Sequence, residues 1–111
     1  MSVEGLEFMP AQTEYADNIY WVYGMVLKDN VVFDADEAMK RLGAGGIGTR
    51  PFFWPMHEQP VFRKMGLFTE ESYPVAERLA RRGFYIPSGM ALTEEQMNEV
   101  AGAVIKMMRD E

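Results

Sequence analysis

The sequence has 111 residues, 17 of them acidic and 11 basic, for a net charge of -6, and no cysteine. That balance excludes a nucleic-acid phosphate backbone as partner, which needs clustered cations. The missing cysteine excludes disulfides, thiolate metal ligands and a cysteine nucleophile, and agrees with a cytoplasmic location.

The length suits one domain, and 48% hydrophobic with 13% aromatic residues is enough for a buried core. No apolar run approaches the ~20 residues of a membrane span. Residues 1–17 are mixed and polar, with Glu4, Glu7 and Glu14 in place of a basic leader, and read as an N-terminal arm or edge segment. Ile19 to Leu27 is the strongest strand signal, β-branched and aromatic throughout. Both of its faces are apolar, so it predicts cover on both sides. With helices on one face only, the other would call for a partner surface.

Asp34, with Glu37 three residues on, predicts a helix start, and Ala35, Ala38, Met39 and Leu42 give it an apolar stripe. Gly43 to Gly46 end it. As a phosphate cradle this glycine cluster is weak, because it follows a helix and does not open one. Ile47 to Arg50 predicts a second strand. The run Gly46 to Phe62 then holds Pro51, Pro55 and Pro60 among aromatics and the sole histidine, and forms a long packed loop. Ser72 is a candidate N-cap, with Pro74 in the first turn and a stripe of Val75, Ala76 and Leu79. Gly83 closes that helix, and Phe84 to Ile86 predict a third strand. Thr93 and Gln96 form a capping box for a last helix with Met97, Val100, Ala101, Val104, Ile105 and Met108 on its apolar face. The order β-α-β-α-β-α predicts an α/β (α+β) fold, a small two-layer sandwich of about three strands with helices packed on one face.

His57 is the obvious acid, base or polar contact. It has no orienting partner in sequence, and Glu58 beside it would point elsewhere in an extended chain. With no second histidine, a histidine-based metal site is not expected. Arg50, at a strand exit, suits a carboxylate or phosphate, or else an aromatic face. Phe52, Phe53 and Trp54 serve as a wall for a base or sugar, or as a plug for the domain. Arg78, Arg81 and Arg82 read as helix-end cations. The ten methionines read as core filler. None of Lys28, Lys40, Lys64 and Lys106 falls where burial is predicted.

Several segments together carry a family resemblance: NIYWVYGMVL from Asn18, GIGTRPFF from Gly46, PMH from Pro55, Gln59-Pro60, Ala76-Glu77, GFYIPSG from Gly83 and LTEEQ from Leu92. In this order they resemble the C-terminal small domain of the DegT/DnrJ/StrS aminotransferases. These are pyridoxal-phosphate enzymes of fold type I that aminate keto-sugars on nucleotides, and the branch that makes perosamine-type sugars is the most similar. The resemblance covers residues 18–111. It implies a loop at an active-site mouth, with Arg50, Phe52, Phe53 and His57 as substrate contacts. It also implies that the Schiff-base lysine and the cofactor contacts belong to a large domain that this sequence does not contain, so no cofactor is expected on the chain alone.

Three readings follow. One is an isolated or truncated small domain that does not transaminate by itself. The second is a freestanding module that binds a nucleotide sugar or partners a pyridoxal-phosphate domain. The third is a ligand-free homo-oligomer.

Overall fold

The computed structural model describes residues 3–109. Four strands form one antiparallel sheet: β1 (Leu6–Phe8), β2 (Tyr23–Leu27), β3 (Arg50–Pro51) and β4 (Gly83–Ile86), in the spatial order β1-β2-β4-β3. Four helices accompany them: α1 (Ala35–Ala44), α2 (Pro60–Lys64), α3 (Pro74–Arg82) and α4 (Glu94–Arg109). The α+β class, an antiparallel sheet with helices, is the expected one. The sheet has four strands where about three were expected, because Leu6–Phe8 pairs with β2.

Alternation along the strands separates two faces. Leu6, Met25, Leu27, Phe84 and Ile86 join Ala38 and Leu42 of α1 and Val100, Val104 and Met108 of α4 in one core cluster. The opposite face of β2 and β4 is covered within the chain. Val26 and Ala80 are buried apart from that cluster. Arg78 of α3 reaches Glu7, which alternates away from Leu6 and Phe8. The Phe52 ring lies against Gly24 and Gly83, so close that a Cβ on Gly24 would stand 3.0 Å from it. The second face of β2, expected to need a partner, is therefore closed by Phe52, Met9 and α3.

Four local expectations are corrected. The strand expected from Ile19 begins at Tyr23. The Asn18 side chain accepts from the Tyr20 N–H at 2.7 Å and donates to Pro10 O at 3.2 Å, and Tyr20 takes φ +52°. This side-chain turn competes with the ladder, and Ile19 and Trp21 are left exposed. The strand expected over Ile47 to Arg50 is only Arg50–Pro51, because the Ile47 N–H bonds Leu42 O at 2.9 Å and belongs to the end of α1. Ser72 does not cap α3. Tyr73 holds the cap position with no side-chain bond, and Ser72 Oγ donates instead to Glu77 at 3.4 Å. The expected stripe of α3 shifts as well, with Val75 and Ala76 exposed and Ala80 buried. Of the first turn of α3, Glu77 meets the loop, at His57.

Local signals hold at two other helix starts. Asp34 Oδ1 accepts from the Glu37 N–H at 3.0 Å, although the Glu37 side chain pairs with Arg41 and does not return to the cap. Thr93 and Gln96 exchange both capping-box bonds, at 3.0 and 3.1 Å. The methionines divide. Met25, Met107 and Met108 are buried as core filler, whereas Met56, Met65, Met90 and Met97 are exposed. Among the described residues no helix is long and apolar enough to cross a membrane.

Candidate functional site

The loop after β3 runs from Phe52 through a 3₁₀ turn at Met56–Glu58 into α2. It separates the four candidate contacts into two pairs. Arg50 is exposed on β3, opposite Tyr85 in register. With Gly48, Thr49, Tyr85, Pro87 and Ser88 it lines an open pocket of about 380 Å³. One guanidinium, one phenol and two hydroxyls there suit an anionic or hydroxylated ligand. Phe53 is 81% exposed and stands out from the same loop.

Phe52 is half-buried and His57 is buried. Phe52 packs on the glycines of β2 and β4 and lies 6.3 Å, ring to ring, from Tyr85. His57 is 4% exposed. Its Nε2 lies 3.2 Å from Glu77 Oε1, and its ring meets Tyr73 edge to face at 4.9 Å. Sequence reasoning missed the two α3 partners that organise this turn, Glu77 and Arg81. Ala76-Glu77 stood among the segments of the resemblance, but its spacing from His57 gave no sign of contact.

Glu58, adjacent to His57, turns to the Arg81 guanidinium, which grips both carboxylate oxygens, one of them at 3.1 Å. Arg81 also lies 5.2 Å over the Trp54 ring, a cation–π distance. The ligand atoms of His57, Glu58 and Glu77 lie within 4.8 Å of one another. Arg81 already supplies the positive charge that a metal ion would bring to Glu58, so the donor set does not suit a metal.

The Arg81 hydrogen bond holds the Glu58 carboxyl below the ordinary carboxylate range. Burial opposes this, and the charges of Arg81, His57 and Arg63 add to it. A carboxyl lowered on folding contributes stability above its unfolded pKa and loses it as pH falls through the folded value. The difference in thermal midpoint between wild type and Glu58→Gln should be constant near neutrality and shrink in acid, below a pH of about 4. A difference that persists undiminished at low pH would assign the effect to packing.

A lysine that carries a carbonyl cofactor must be held neutral by burial or by cationic neighbours. Lys28, Lys40, Lys64 and Lys106 are all exposed. None of the four has the burial that such a lysine needs.

The sequence profile of the DegT/DnrJ/EryC1/StrS aminotransferase family matches residues 2–105. EpsN of Bacillus subtilis (strain 168), a protein named as a pyridoxal phosphate-dependent aminotransferase, is 32% identical over 108 residues, which is 95% of this chain and 26% of EpsN. GDP-perosamine synthase of Vibrio cholerae is 27% identical over 85 residues, 77% of this chain and 23% of that protein. The aminotransferase TlmJ from Streptoalloteichus hindustanus superposes with a TM-score of 0.81 at 25% identity, over 98% of this chain and 28% of TlmJ. The chain thus spans about a quarter of the length of the curated relatives it matches. With nearly its whole length matched by the profile, and its fold repeated in a solved aminotransferase, the chain belongs to the DegT/DnrJ/EryC1/StrS aminotransferase family.

Proposed function

We propose that these residues act as the substrate-side small domain of a sugar-nucleotide aminotransferase. Arg50 and Phe53 contact the ligand, and transamination depends on a further part that carries pyridoxal phosphate. The observation that carries the reading is the open Arg50 pocket in a chain of this family whose four lysines are all exposed. In such a domain Arg50 would pair with a phosphate and Phe53 would stack on a sugar or base face. The cofactor would supply amino-group transfer from elsewhere, and no step of that chemistry falls to residues described here. With no cysteine in the chain, a reducing cytoplasm is part of the same reading.

The test is an amide NMR titration of the labelled chain with a nucleoside diphosphate hexose. Saturable shifts are expected at Gly48 to Arg50, Phe53, Ser88 and Gly89, and Arg50→Ala should weaken binding about tenfold or more, or about 1.4 kcal/mol. Binding unaffected by Arg50→Ala would overturn the ligand assignment. Amino-sugar formation by the purified chain with pyridoxal phosphate and an amino donor would overturn the dependence on a further part.

A second reading, association through apolar surface with a pyridoxal-phosphate domain or a second copy, draws on the exposure of Ile19, Trp21, Phe53 and Met90.

A further inference from the structure

His57 does not line the Arg50 pocket, and it is the buried polar side chain among the described residues. The Phe53–Trp54 segment beside it belongs to no strand, and its proline neighbours fix φ without attaching it to anything. Its local bonds close the loop on itself: Gln59 Nε2 donates to Trp54 O at 2.8 Å, and the Glu58 N–H donates to Pro55 O at 3.0 Å. What joins it to the rest of the fold on this side is α3. Glu77 meets His57, and Arg81 meets both Glu58 and Trp54.

We propose that His57 is a positioning residue. Held by Glu77 and Tyr73, it latches the exposed Phe53–Trp54 ledge to α3 and so sets where that ledge stands. The latch rests on the contacts alone. Its consequence for binding rests on the reading of Phe53 as a ligand contact.

The charges around the imidazole are consistent with that role. From α3 it faces Glu77 and, beyond it, Arg81, which Glu58 of the same turn already neutralises. From α2, Arg63 donates to the His57 carbonyl at 3.4 Å, a bond to the backbone and not to the ring. Tyr73 offers its ring, while its hydroxyl donates to Glu71 at 2.8 Å. Glu77 is the carboxylate left for the imidazole, and Ser72 Oγ, at 3.4 Å from the other oxygen of Glu77, helps orient it. An imidazole N–H can bridge such a turn to a helix while its ring fills the space beneath Tyr73. An aliphatic residue could fill the space without making the bridge.

The experiment uses the ¹⁵N-labelled full chain, in which Trp21 and Trp54 each report through an indole N–H. The Trp21 carbonyl accepts from Ser88 at 3.0 Å and lies outside this network, so Trp21 serves as the internal reference. Three variants are compared: His57→Phe, which fills space and cannot bond Glu77; His57→Gln, which keeps a donor; and Glu77→Met, which keeps the stem and removes the acceptor. His57→Phe should shift the Trp54 indole and the Phe53 amide and leave the Trp21 indole in place. It should also weaken nucleoside diphosphate hexose binding about fivefold to tenfold. His57→Gln should restore the Trp54 position and hold affinity within about twofold.

An unmoved Trp54 in His57→Phe overturns the latch. Equal loss of binding in the Phe and Gln variants, with Trp54 in place, also overturns it in favour of direct contact. If His57→Phe does not fold, Glu77→Met, which removes the acceptor, reads the same latch from the partly exposed side, and an unmoved Trp54 there overturns it. A wild-type chain that binds no nucleotide sugar overturns the ligand reading, and a Trp54 shift in the same samples still supports the latch.

Discussion

Arg82→Met should lower the stability of the chain by about 3 kcal/mol, read as a drop in the urea midpoint at unchanged slope. The Arg82 guanidinium gathers the carbonyls of the turn that leads from β2 into α1. Nη1 donates to Phe33 O at 2.9 Å, Nη2 to Val31 O at 2.9 Å and to Lys28 O, and Nε to Leu27 O at 3.4 Å. These acceptors come from four different residues and need one rigid fork. Methionine preserves much of the stem's packing and removes all the donors, leaving part-buried carbonyls without them. Arg82→Lys should recover less than half of the loss, because one ammonium cannot span the set. Amide exchange at Lys28 and Val31, whose N–H groups bond Gly5 O and Lys28 O, should accelerate in the Met variant. A midpoint change worth less than about 1 kcal/mol would mean that water serves these carbonyls equally well.

Gly83→Ala should cost a similar amount, about 3 kcal/mol, for a different reason. The φ of Gly83 is -105°, open to any residue, so the cost is steric and not conformational. A Cβ there would stand 2.5 Å from Leu79 O and 2.5 Å from two atoms of the Phe52 ring. The ring can shift. The backbone oxygen at the end of α3 cannot shift without moving the helix. Phe52→Ala in the Gly83→Ala chain should therefore relieve only part of the strain, a coupling that a double-mutant cycle measures. Gly24→Ala is the control. Its Cβ would meet only the Phe52 ring, at 3.0 and 3.2 Å, and the Met9 sulfur at 3.6 Å, so its cost should be clearly smaller. Equal losses at Gly24 and Gly83 would refute the role given to Leu79 O.

The parts of the fold that were legible in the sequence are those decided within a few residues. The Thr93–Gln96 box and the Asp34 cap are contacts over three residues, and both form. Phe84 to Ile86 lies between a helix-ending glycine and a proline and is a strand, extended by Gly83. β1 was read only as an arm or edge segment, because three residues carry too little alternation to distinguish a strand. Ile19 to Leu27 was read too long, since composition favours a strand throughout and the veto comes from one Asn18 side chain bonded to its own turn.

The candidate site shows the same division. The residues left Arg50 and Phe53 open between ligand contact and aromatic packing, and both are exposed. The contact between His57 and Glu77 was not legible, because Glu77 lies 20 residues away on a helix whose placement is tertiary. The arginine cluster was located correctly near the end of a helix, but each member has a specific task. Arg78 reaches Glu7 across 71 residues, Arg81 reaches Glu58 across 23, and Arg82 reaches the turn after β2 across about 50.

One of the two edge strands of the sheet, β3, is two residues long, and one of them is Pro51. A neighbouring chain that tried to lengthen the sheet there would find at most a single amide hydrogen, that of Arg50, to pair with. That margin is closed to growth by backbone pairing. It resists the stacking of copies that exposed sheet margins invite, and any partner approaching from β3 has to be recognised through the Arg50 side chain and its neighbours.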